Sequence, residues 1–402
     1  MRVLLAPLLL LVLASRVDAA VVSCDAPDNL CTGDPCVIET LTVVTPCEVD
    51  FGLRTLEIAG TVTVPDGGTL SLAASTIRLT GKLDGRNLNN GIGASVTLDG
   101  NMVELDGAID VGGTTGGGSV VLTAGNLMPR GKIRATSKLG PGGTVALSGG
   151  SFNVPNTIDV RGASGGSIEI QGGFVQVGFK ALDARGLAGP GGSVTLSVTD
   201  VTVFGNVDLR GKGGDGGMLT WTGRAHFTRK VDVSGTANGG SIASAGRVAI
   251  TGKILARGKT GNGGTLTVSS PQAMECCANI GFMRAKLDFR GALAGGLIDL
   301  HGDWIQFAFG LPVPVTSQFR VGGGSSPGEV RITHSGTTHP LEIDANFDAR
   351  DSGVVELLAP NTDLTVSGKA LAGPAGCVGV SAGGTMNTSA LVSDVVLAPN
   401  CP

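Results

Sequence analysis

The sequence predicts an all-β fold: a single-stranded, right-handed parallel β-helix with about three short strands in each coil of about 24 residues. Three observations predict it. A short motif recurs at nearly constant spacing, and aliphatic residues alternate with polar ones inside each recurrence. The 402 residues also include 67 glycines but only 12 Phe, 2 Trp and no Tyr. So few large side chains suit the thin core of stacked coils.

Residues 1–19 have the composition of a secretory signal peptide. Arg2 precedes an apolar run from Val3 to Leu13, and Val17-Asp18-Ala19 forms a small-residue cleavage pattern. The run is too short to cross a bilayer, and no later stretch reaches about 18 uninterrupted apolar residues. We therefore expect a mature chain that is secreted or lies at the cell surface, without a membrane span.

A lipid anchor at Cys24 is the alternative at this end of the chain. The stretch Val21-Val22-Ser23-Cys24 looks like a lipoprotein cleavage box. Such a box normally abuts the apolar run, whereas Arg16 and Asp18 separate the two here. We do not expect lipidation.

The charge of the mature chain bears on its partners. Cleavage after Ala19 removes Arg2, Arg16 and Asp18, so the 29 basic and 33 acidic residues become 27 and 32, a net charge of −5. This mild acidity argues against a nucleic-acid partner. An extracellular glycan or another surface protein is the partner we expect, and we expect no cofactor.

The cysteines predict disulfides, because their number is even in an exported chain. Four lie near the start and two near the end, so we expect them to staple an N-terminal cap at 20–66 and a C-terminal cap at 377–402. Their connectivity stays open. Zinc is the competing interpretation, but no CxxC pair or His partner accompanies them. The eight are Cys24, Cys31, Cys36, Cys47, Cys276, Cys277, Cys377 and Cys401.

An internal repeat occupies residues 67–376. A Gly-Gly pair or its remnant, then a small residue and an alternating strand, recurs at spacings of 23 to 26 residues. Stacked coils place like residues about 4.8 Å apart, and about 12 coils make a rod on the order of 60 Å long. The small residues are Thr69, Ser95, Ser119, Thr144, Ser167, Ser193, Met218, Ser241 and Thr265.

One unit, GGSIEIQGGFVQVGFKALDARGLAGP from Gly165, illustrates the three strands. Period-2 alternation puts its aliphatic pairs on one face, and glycines lie at the corners. The inward pairs are Ile168 and Ile170, then Val175 and Val177, then Leu182 and Ala184.

These repeats resemble those of bacterial secreted and surface right-handed β-helix proteins, such as filamentous-haemagglutinin-like proteins and autotransporter passengers. The resemblance rests on strand starts such as Gly192-Ser193-Val194 and Gly143-Thr144-Val145, and on strand ends such as Leu182-Asp183-Ala184-Arg185-Gly186. It implies an exported structural or adhesive role without catalytic activity. The alternative is a polysaccharide lyase or glycosidase, because β-helices carry both.

Two charged ladders follow the third strand of the coils, and both are expected to point outward on one face, since the flanking aliphatic residues point inward. They predict either a polyanion-binding or lyase-like groove, or a structural wall in which each Arg offsets a stacked Asp. A reaction needs one asymmetric site, so we favour structure. The Asp residues are Asp84, Asp110, Asp159, Asp183, Asp208, Asp232, Asp288 and Asp348. The Arg residues, two positions later, are Arg86, Arg161, Arg185, Arg210, Arg257, Arg290 and Arg350.

The corner GKGGDGG, from Gly211, superficially matches a calcium-roll repeat. Calcium rolls repeat carboxylates every nine residues, whereas Asp215 has no counterpart in the neighbouring units. No GK[ST] follows either, so a phosphate loop is not predicted. We interpret the segment as a glycine-rich turn and expect no metal site.

Two insertions interrupt the repeat, near 269–283 and 303–316, and aromatics concentrate around them. We expect both insertions on one side of the rod, between the first and third strands, where they would form a ligand-binding patch. The alternative for its charged members is an ion pair across coils beside a solvated histidine. The candidate ligand-binding residues are Trp304, Phe307, Phe309, Asp299, His301 and Arg331.

Overall fold

The computed structural model describes residues 20–65, 67–179, 182–270, 280–307, 317–350, 352–399 and 401. The chain is 57% strand and 1% helix, and its strands stack as a parallel β-solenoid of about 15 turns with a spacing of about 24 residues. This confirms the predicted fold class.

The first segment contains six short strands and the helix α1, Pro27–Leu30. The strands are β1 (Ala20–Val22), β2 (Cys36–Ile38), β3 (Leu41–Val43), β4 (Cys47–Asp50), β5 (Thr55–Ile58) and β6 (Thr61–Thr63).

The central segment contains long strands alternating with short ones. They are β7 (Thr69–Leu79), β8 (Lys82–Asp84), β9 (Ser95–Leu105), β10 (Ala108–Asp110), β11 (Ser119–Pro129), β12 (Lys132–Arg134), β13 (Thr144–Gly149), β14 (Phe152–Val154), β15 (Ile158–Asp159), β16 (Ser167–Val177), β17 (Leu182–Asp183), β18 (Ser193–Val203), β19 (Val207–Asp208), β20 (Met218–Phe227), β21 (Lys230–Asp232), β22 (Ser241–Ser244), β23 (Arg247–Ile250) and β24 (Lys253–Leu255).

The last segment continues the same stack. Its strands are β25 (Thr265–Ser270), β26 (Ile280–Phe282), β27 (Lys286–Asp288), β28 (Leu297–Gly302), β29 (Ile305–Phe307), β30 (Ser317–Arg320), β31 (Glu329–His334), β32 (Leu341–Asp348), β33 (Val354–Ala359), β34 (Leu364–Leu371), β35 (Cys377–Ala382), β36 (Met386–Ser393) and β37 (Leu397–Ala398).

Several coils merge the first two predicted strands into one. Strand β16 pairs with β18 from Ser167↔Ser193 to Val177↔Val203, and Gly172↔Val198 keeps the ladder continuous through the glycine-containing middle. In other coils the two strands remain separate, as in β13 and β14. The backbone ladder therefore bends at these positions without always breaking.

The core is a set of aliphatic columns that run along the solenoid. Val96, Val120 and Val145 are register partners in successive coils, and each is at most 1% exposed. The columns form because alternate side chains of each strand point inward and parallel register places equivalent residues directly over one another. This thin core accommodates few aromatic residues.

The solenoid has about 15 turns, more than the 12 expected from the repeat. The difference arises at the termini, which we predicted to be caps. Strand β1 pairs with β3, β3 with β6 and β6 with β8, all in parallel, so the first segment adds coils to the stack. At the other end β33, β35 and β37 pair in the same way. Their strands lack the Gly-Gly signature by which we counted the repeats.

Two disulfides lie at the N-terminal end of the solenoid and one lies at the C-terminal end, so each bridge stays within one end, as predicted. Cys24–Cys47 and Cys31–Cys36 join Cα atoms 5.2 and 5.3 Å apart, and Cys377–Cys401 joins Cα atoms 5.7 Å apart. Such bridges indicate an oxidising compartment. Cys276 and Cys277 lie outside the described residues.

Two expectations concern membranes and export. The signal peptide predicted at 1–19 lies outside the described residues. In the part of the chain that is described, no helix has the length and apolar character needed to cross a membrane.

Candidate functional site

The Asp and Arg ladders form a charged face along the third strand of the coils. In a strand, residues two apart share a face, so each Arg lies beside the Asp that precedes it. The Arg161 guanidinium donates two hydrogen bonds to Asp159, at 2.8 and 2.6 Å. The same two-pronged contact joins Arg185 to Asp183 at 2.9 and 2.7 Å. This geometry makes the pairs specific as well as charged.

Each of these arginines also approaches the acid of the following coil. Arg161 Nε lies 3.4 Å from Asp183, and Arg185 Nε lies 3.6 Å from Asp208. A guanidinium therefore bridges two stacked carboxylates, which offsets the repulsion between like charges one coil apart. This arrangement supports the structural interpretation of the ladder.

The carboxylates are less exposed than we expected from the sequence. We placed them on an outward face, yet Asp159, Asp183 and Asp232 are only 5%, 8% and 4% exposed. The long arginine side chains lie over them and restrict their contact with water.

Basic side chains lower the pKa of two ladder carboxylates, Asp84 and Asp288. Burial would raise the pKa of Asp84, but hydrogen bonds from Arg86 and Lys82 outweigh it and lower that pKa to about 2. At Asp288 burial again acts upward, while Arg290 and Arg257 hold the pKa below its usual value. Asp84 and Asp288 are therefore ionised at neutral pH and engaged by cations, so neither has the properties of a general acid.

The ladder is interrupted in two stretches. In β24 Leu255 takes the position of Asp, and in β30 Arg320 does so, since Leu255↔Asp288 and Asp288↔Arg320 are register partners. The position of the ladder Arg is filled by Ser234 in one nearby coil and by Gly322 in another. Near the start of the chain, Gly112 and Thr136 replace Arg in successive coils.

Clefts open at these interruptions. The larger has a volume of about 840 Å³ and is lined by Ser234, Leu255 and Gly322 together with the charged groups Arg257, Lys259, Arg290, Arg350, Asp232 and Asp348. A smaller cleft of about 380 Å³ lies beside Gly112 and Thr136. A missing guanidinium leaves space in the charged face, which explains why the clefts lie where they do.

The patch predicted around the insertions is only partly assembled. Asp299 and Arg331 are register partners on adjacent coils, and His301 is exposed one step along the same face. Arg331 forms ion pairs with Glu329 and, at 3.5 Å, with Glu356. The expected ion pair across coils therefore exists, with Glu356 rather than Asp299 as its acid.

The prediction that Phe307 is a surface contact is wrong. Phe307 is 4% exposed and its ring stacks on Phe282 at 5.3 Å, beside Phe319 at 5.9 Å. The physical reason is strand phase: β29 begins with the inward residue Ile305, so Phe307, two residues on, also points inward. The aromatic concentration here forms a local thickening of the core.

Trp304 is half-buried, and its ring stacks on that of His339, with centroids 4.0 Å apart. His334 lies beneath, fully buried, with Nε2 2.8 Å from the His339 carbonyl oxygen. Burial lowers the pKa of His334, and the carbonyl contact only partly offsets this. One face of Trp304 is thus occupied within the protein.

The two insertions enter at successive corners of the coil. Residues 271–279 fall between β25 and β26, whereas 308–316 fall between β29 and β30. Since β26 pairs with β29 as the second strand of the coil, both segments fall between the first and third strands, as expected, although one precedes the second strand and the other follows it. Phe309 lies outside the described residues.

The described residues contain no cluster suited to a metal: no group of three or more His, Cys, Asp or Glu side chains there is placed to hold an ion. The oxygens of most ladder carboxylates accept hydrogen bonds from guanidinium groups, as at Asp183.

Comparisons with known proteins found no matching family model, no similar curated protein and no similar solved structure. The stacked coils define the class of the molecule, a parallel β-solenoid.

Sequence reasoning missed the larger cleft. The signal was present in the sequence as two departures from the repeat, Leu255 in place of Asp and Gly322 in place of Arg. The ladders were defined by the positions that recur, whereas the positions that depart from the repeat determine where the charged face opens.

Proposed function

We propose that this chain is an exported structural or adhesive β-solenoid, of the bacterial surface or secreted kind, without catalytic activity. The observation that carries the proposal is the repeated pairing of the ladder: the acids that might act as catalysts are held by arginines in coil after coil. The predicted signal peptide and the oxidised cysteine pairs support export.

Adhesion suits the architecture because a solenoid presents an extended surface with free edges only at its ends. The charged face opposes side-by-side association of solenoids, because a column of charged side chains is costly to remove from water. A disulfide near each end stabilises the coils that have a neighbour on one side only.

The second candidate is a polysaccharide lyase or glycosidase. The cleft of about 840 Å³ with arginine and aspartate in its wall favours it. The carboxylates of the cleft argue against an enzyme. Asp348 accepts hydrogen bonds from Arg350 at 2.8 and 2.9 Å, and this contact lowers the pKa of Asp348. A glycosidase needs one carboxyl group with a raised pKa.

Two assays on the refolded, oxidised mature protein test the proposal. In the first, attachment of protein-coated beads to cells or to a glycan array is counted, and we expect attachment. In the second, acidic and neutral polysaccharides are incubated with the protein, and we expect no new reducing ends or unsaturated products. Turnover of any polysaccharide, abolished by Asp348→Asn, would replace the adhesive role with the enzymatic one.

A further inference from the structure

The charge of the ladder face changes along the solenoid. In the regular stretch the coils of β15, β17 and β19 contribute three acids, Asp159, Asp183 and Asp208, and three bases, Arg161, Arg185 and Arg210. The two charges balance, and every guanidinium is engaged by the carboxylate before it. This stretch is a neutral wall.

The stretch around the larger cleft is strongly basic. The five coils of β21, β24, β27, β30 and the end of β32 keep three ladder acids, Asp232, Asp288 and Asp348. Seven bases stand at the equivalent positions of the same coils: Lys230, Lys253, Lys286, Arg257, Arg290, Arg320 and Arg350. Arg257, Arg290 and Arg350 balance the three acids, so the excess consists of Arg320, which occupies an acid position, and the three lysines that begin β21, β24 and β27.

The ion pairs do not neutralise all the positive charge beside the cleft. Asp288 serves two arginines at once, receiving Arg290 at 2.8 Å and Arg257 at 2.9 Å. Arg257 remains 51% exposed in that contact. Lys259, also exposed, makes no ion pair within the described ranges. Both Arg257 and Lys259 line the cavity, together with neighbouring glycines.

We propose that this cleft binds a segment of an acidic saccharide through its carboxylate or sulfate groups. Arg257 and Lys259 can donate hydrogen bonds to such oxyanions, and the glycines Gly322 and Gly323 let the ligand approach the backbone. Arg290 and Arg350 add positive charge beside them while bound to their own acids. The volume of about 840 Å³ lies in the range of small-molecule sites.

The spacing of the cations favours a linear ligand with several anionic groups over a single ion. Arg257 and Arg290 lie one coil apart, and Arg350 lies two coils beyond Arg290. These steps correspond to about 5 and 10 Å along the solenoid. A chain of acidic sugar units running parallel to the axis would meet them in turn.

Nucleic acid fits the same cations less well. The chain carries a net charge of −4, which repels an extended polyanion of high charge density. No Phe, Trp or Tyr is among the residues that line the cleft, so bases would find no stacking surface in this described part of the protein. A moderately charged saccharide avoids both difficulties.

The sequence provides a matched control for the cleft. Arg257-Gly258-Lys259 borders it, and Arg210-Gly211-Lys212 stands at the same register two coils earlier, through the bridges Gly211↔Gly235 and Gly235↔Gly258. Arg210 has its own acid, Asp208, at 2.7 Å. Replacing either pair by glutamine removes the same charge from the same type of corner.

The experiment is calorimetric titration of the mature protein with a sulfated oligosaccharide, a uronic-acid oligosaccharide, a neutral oligosaccharide of equal length and a short single-stranded DNA. We expect binding of at least one acidic saccharide, weakened by salt, and none of the neutral one. Arg257→Gln/Lys259→Gln should weaken that binding at least tenfold, and Arg210→Gln/Lys212→Gln less than twofold. Leu255→Asp, which keeps both cations but restores the missing ladder acid, should also weaken it. Thermal unfolding of each variant checks that the fold persists.

Failure to bind either acidic saccharide, equal losses in the two matched variants, or tighter binding of DNA would each overturn the proposal. Which acidic saccharide binds identifies the anion as sulfate or carboxylate. The proposal deepens the adhesive role and rests on it. The experiments distinguish failure of the saccharide proposal from failure of the adhesive role. A protein that attaches to cells but binds no acidic saccharide would be adhesive through another surface.

Discussion

Removing one arginine from the regular ladder should destabilise the protein more than removing the arginine and its aspartate together. Arg185 donates two hydrogen bonds to Asp183, whose side chain is only 11% exposed. Arg185→Ser leaves that carboxylate with Arg161 Nε at 3.4 Å as its remaining cation. A hydrogen bond to a charged group contributes about 1.5–3 kcal/mol, and a carboxylate left partly desolvated carries a further cost.

We expect Arg185→Ser to lower the free energy of unfolding by about 2 kcal/mol, because the partial exposure of Asp183 and its contact with Arg161 offset part of the loss. Asp183→Ser leaves a guanidinium that is 21% exposed and 3.6 Å from Asp208, so its cost should be about 1 kcal/mol. The double variant removes a whole rung and leaves no orphaned charge. Its cost should also be no more than about 1 kcal/mol.

Urea unfolding at pH 7 measures the three variants, with amide hydrogen exchange around residue 185 to locate the opening, since solenoids can unfold in parts. The double-mutant cycle then gives the coupling between the two side chains. If Arg185→Ser cost no more than the double variant, the carboxylate would not depend on its arginine, and the structural role of the ladder would be refuted.

Three further predictions concern the core, a buried histidine and the C-terminal end. Phe319→Ala should cost about 3–5 kcal/mol in urea unfolding, because the ring is fully buried, whereas Phe179→Ala, at a ring 70% exposed, should cost less than about 1 kcal/mol. Burial lowers the pKa of His334, so the folded protein keeps it neutral while the unfolded chain binds a proton below about pH 6.5. Stability should therefore fall as pH drops from about 6.5 toward the lowered pKa, and His334→Gln should reduce that slope; an unchanged slope would contradict it. Replacing Cys377 and Cys401 by serine should speed exchange of amides in the last coils and leave those of the central coils unchanged, because the bridge closes one end only.

Much of the fold could be predicted from the sequence because its information is periodic. Residues such as Val96, Val120 and Val145 recur at one position of the coil, and parallel stacking converts that recurrence directly into contact. The cysteines near each end could be assigned to local bridges for a related reason: the ends of a solenoid are far apart, so a bridge between them is impossible.

The candidate site could be predicted less well because it depends on departures from the period. Phe307 was misplaced because the insertions obscure where β29 begins, and a shift of one residue exchanges the inner and outer faces. The larger cleft depends on side chains that are missing, at Gly322 and Leu255, and on which neighbours then fill the space. The lining residues come from five coils and lie more than a hundred residues apart along the chain, from Asp232 to Arg350, so a local pattern does not reveal them.

The ladder and the cleft both require that equivalent positions form a single column along the solenoid. Lys82 and Asn346 stand ten register pairings apart in that column. Spin labels on Lys82→Cys and Asn346→Cys, with Cys276 and Cys277 replaced by serine, should give a double electron–electron resonance distance of about 48 Å, ten spacings of about 4.8 Å. A distance shorter by about 10 Å or more, equal to two lost coils, would contradict the stacking on which the ladder and the cleft depend.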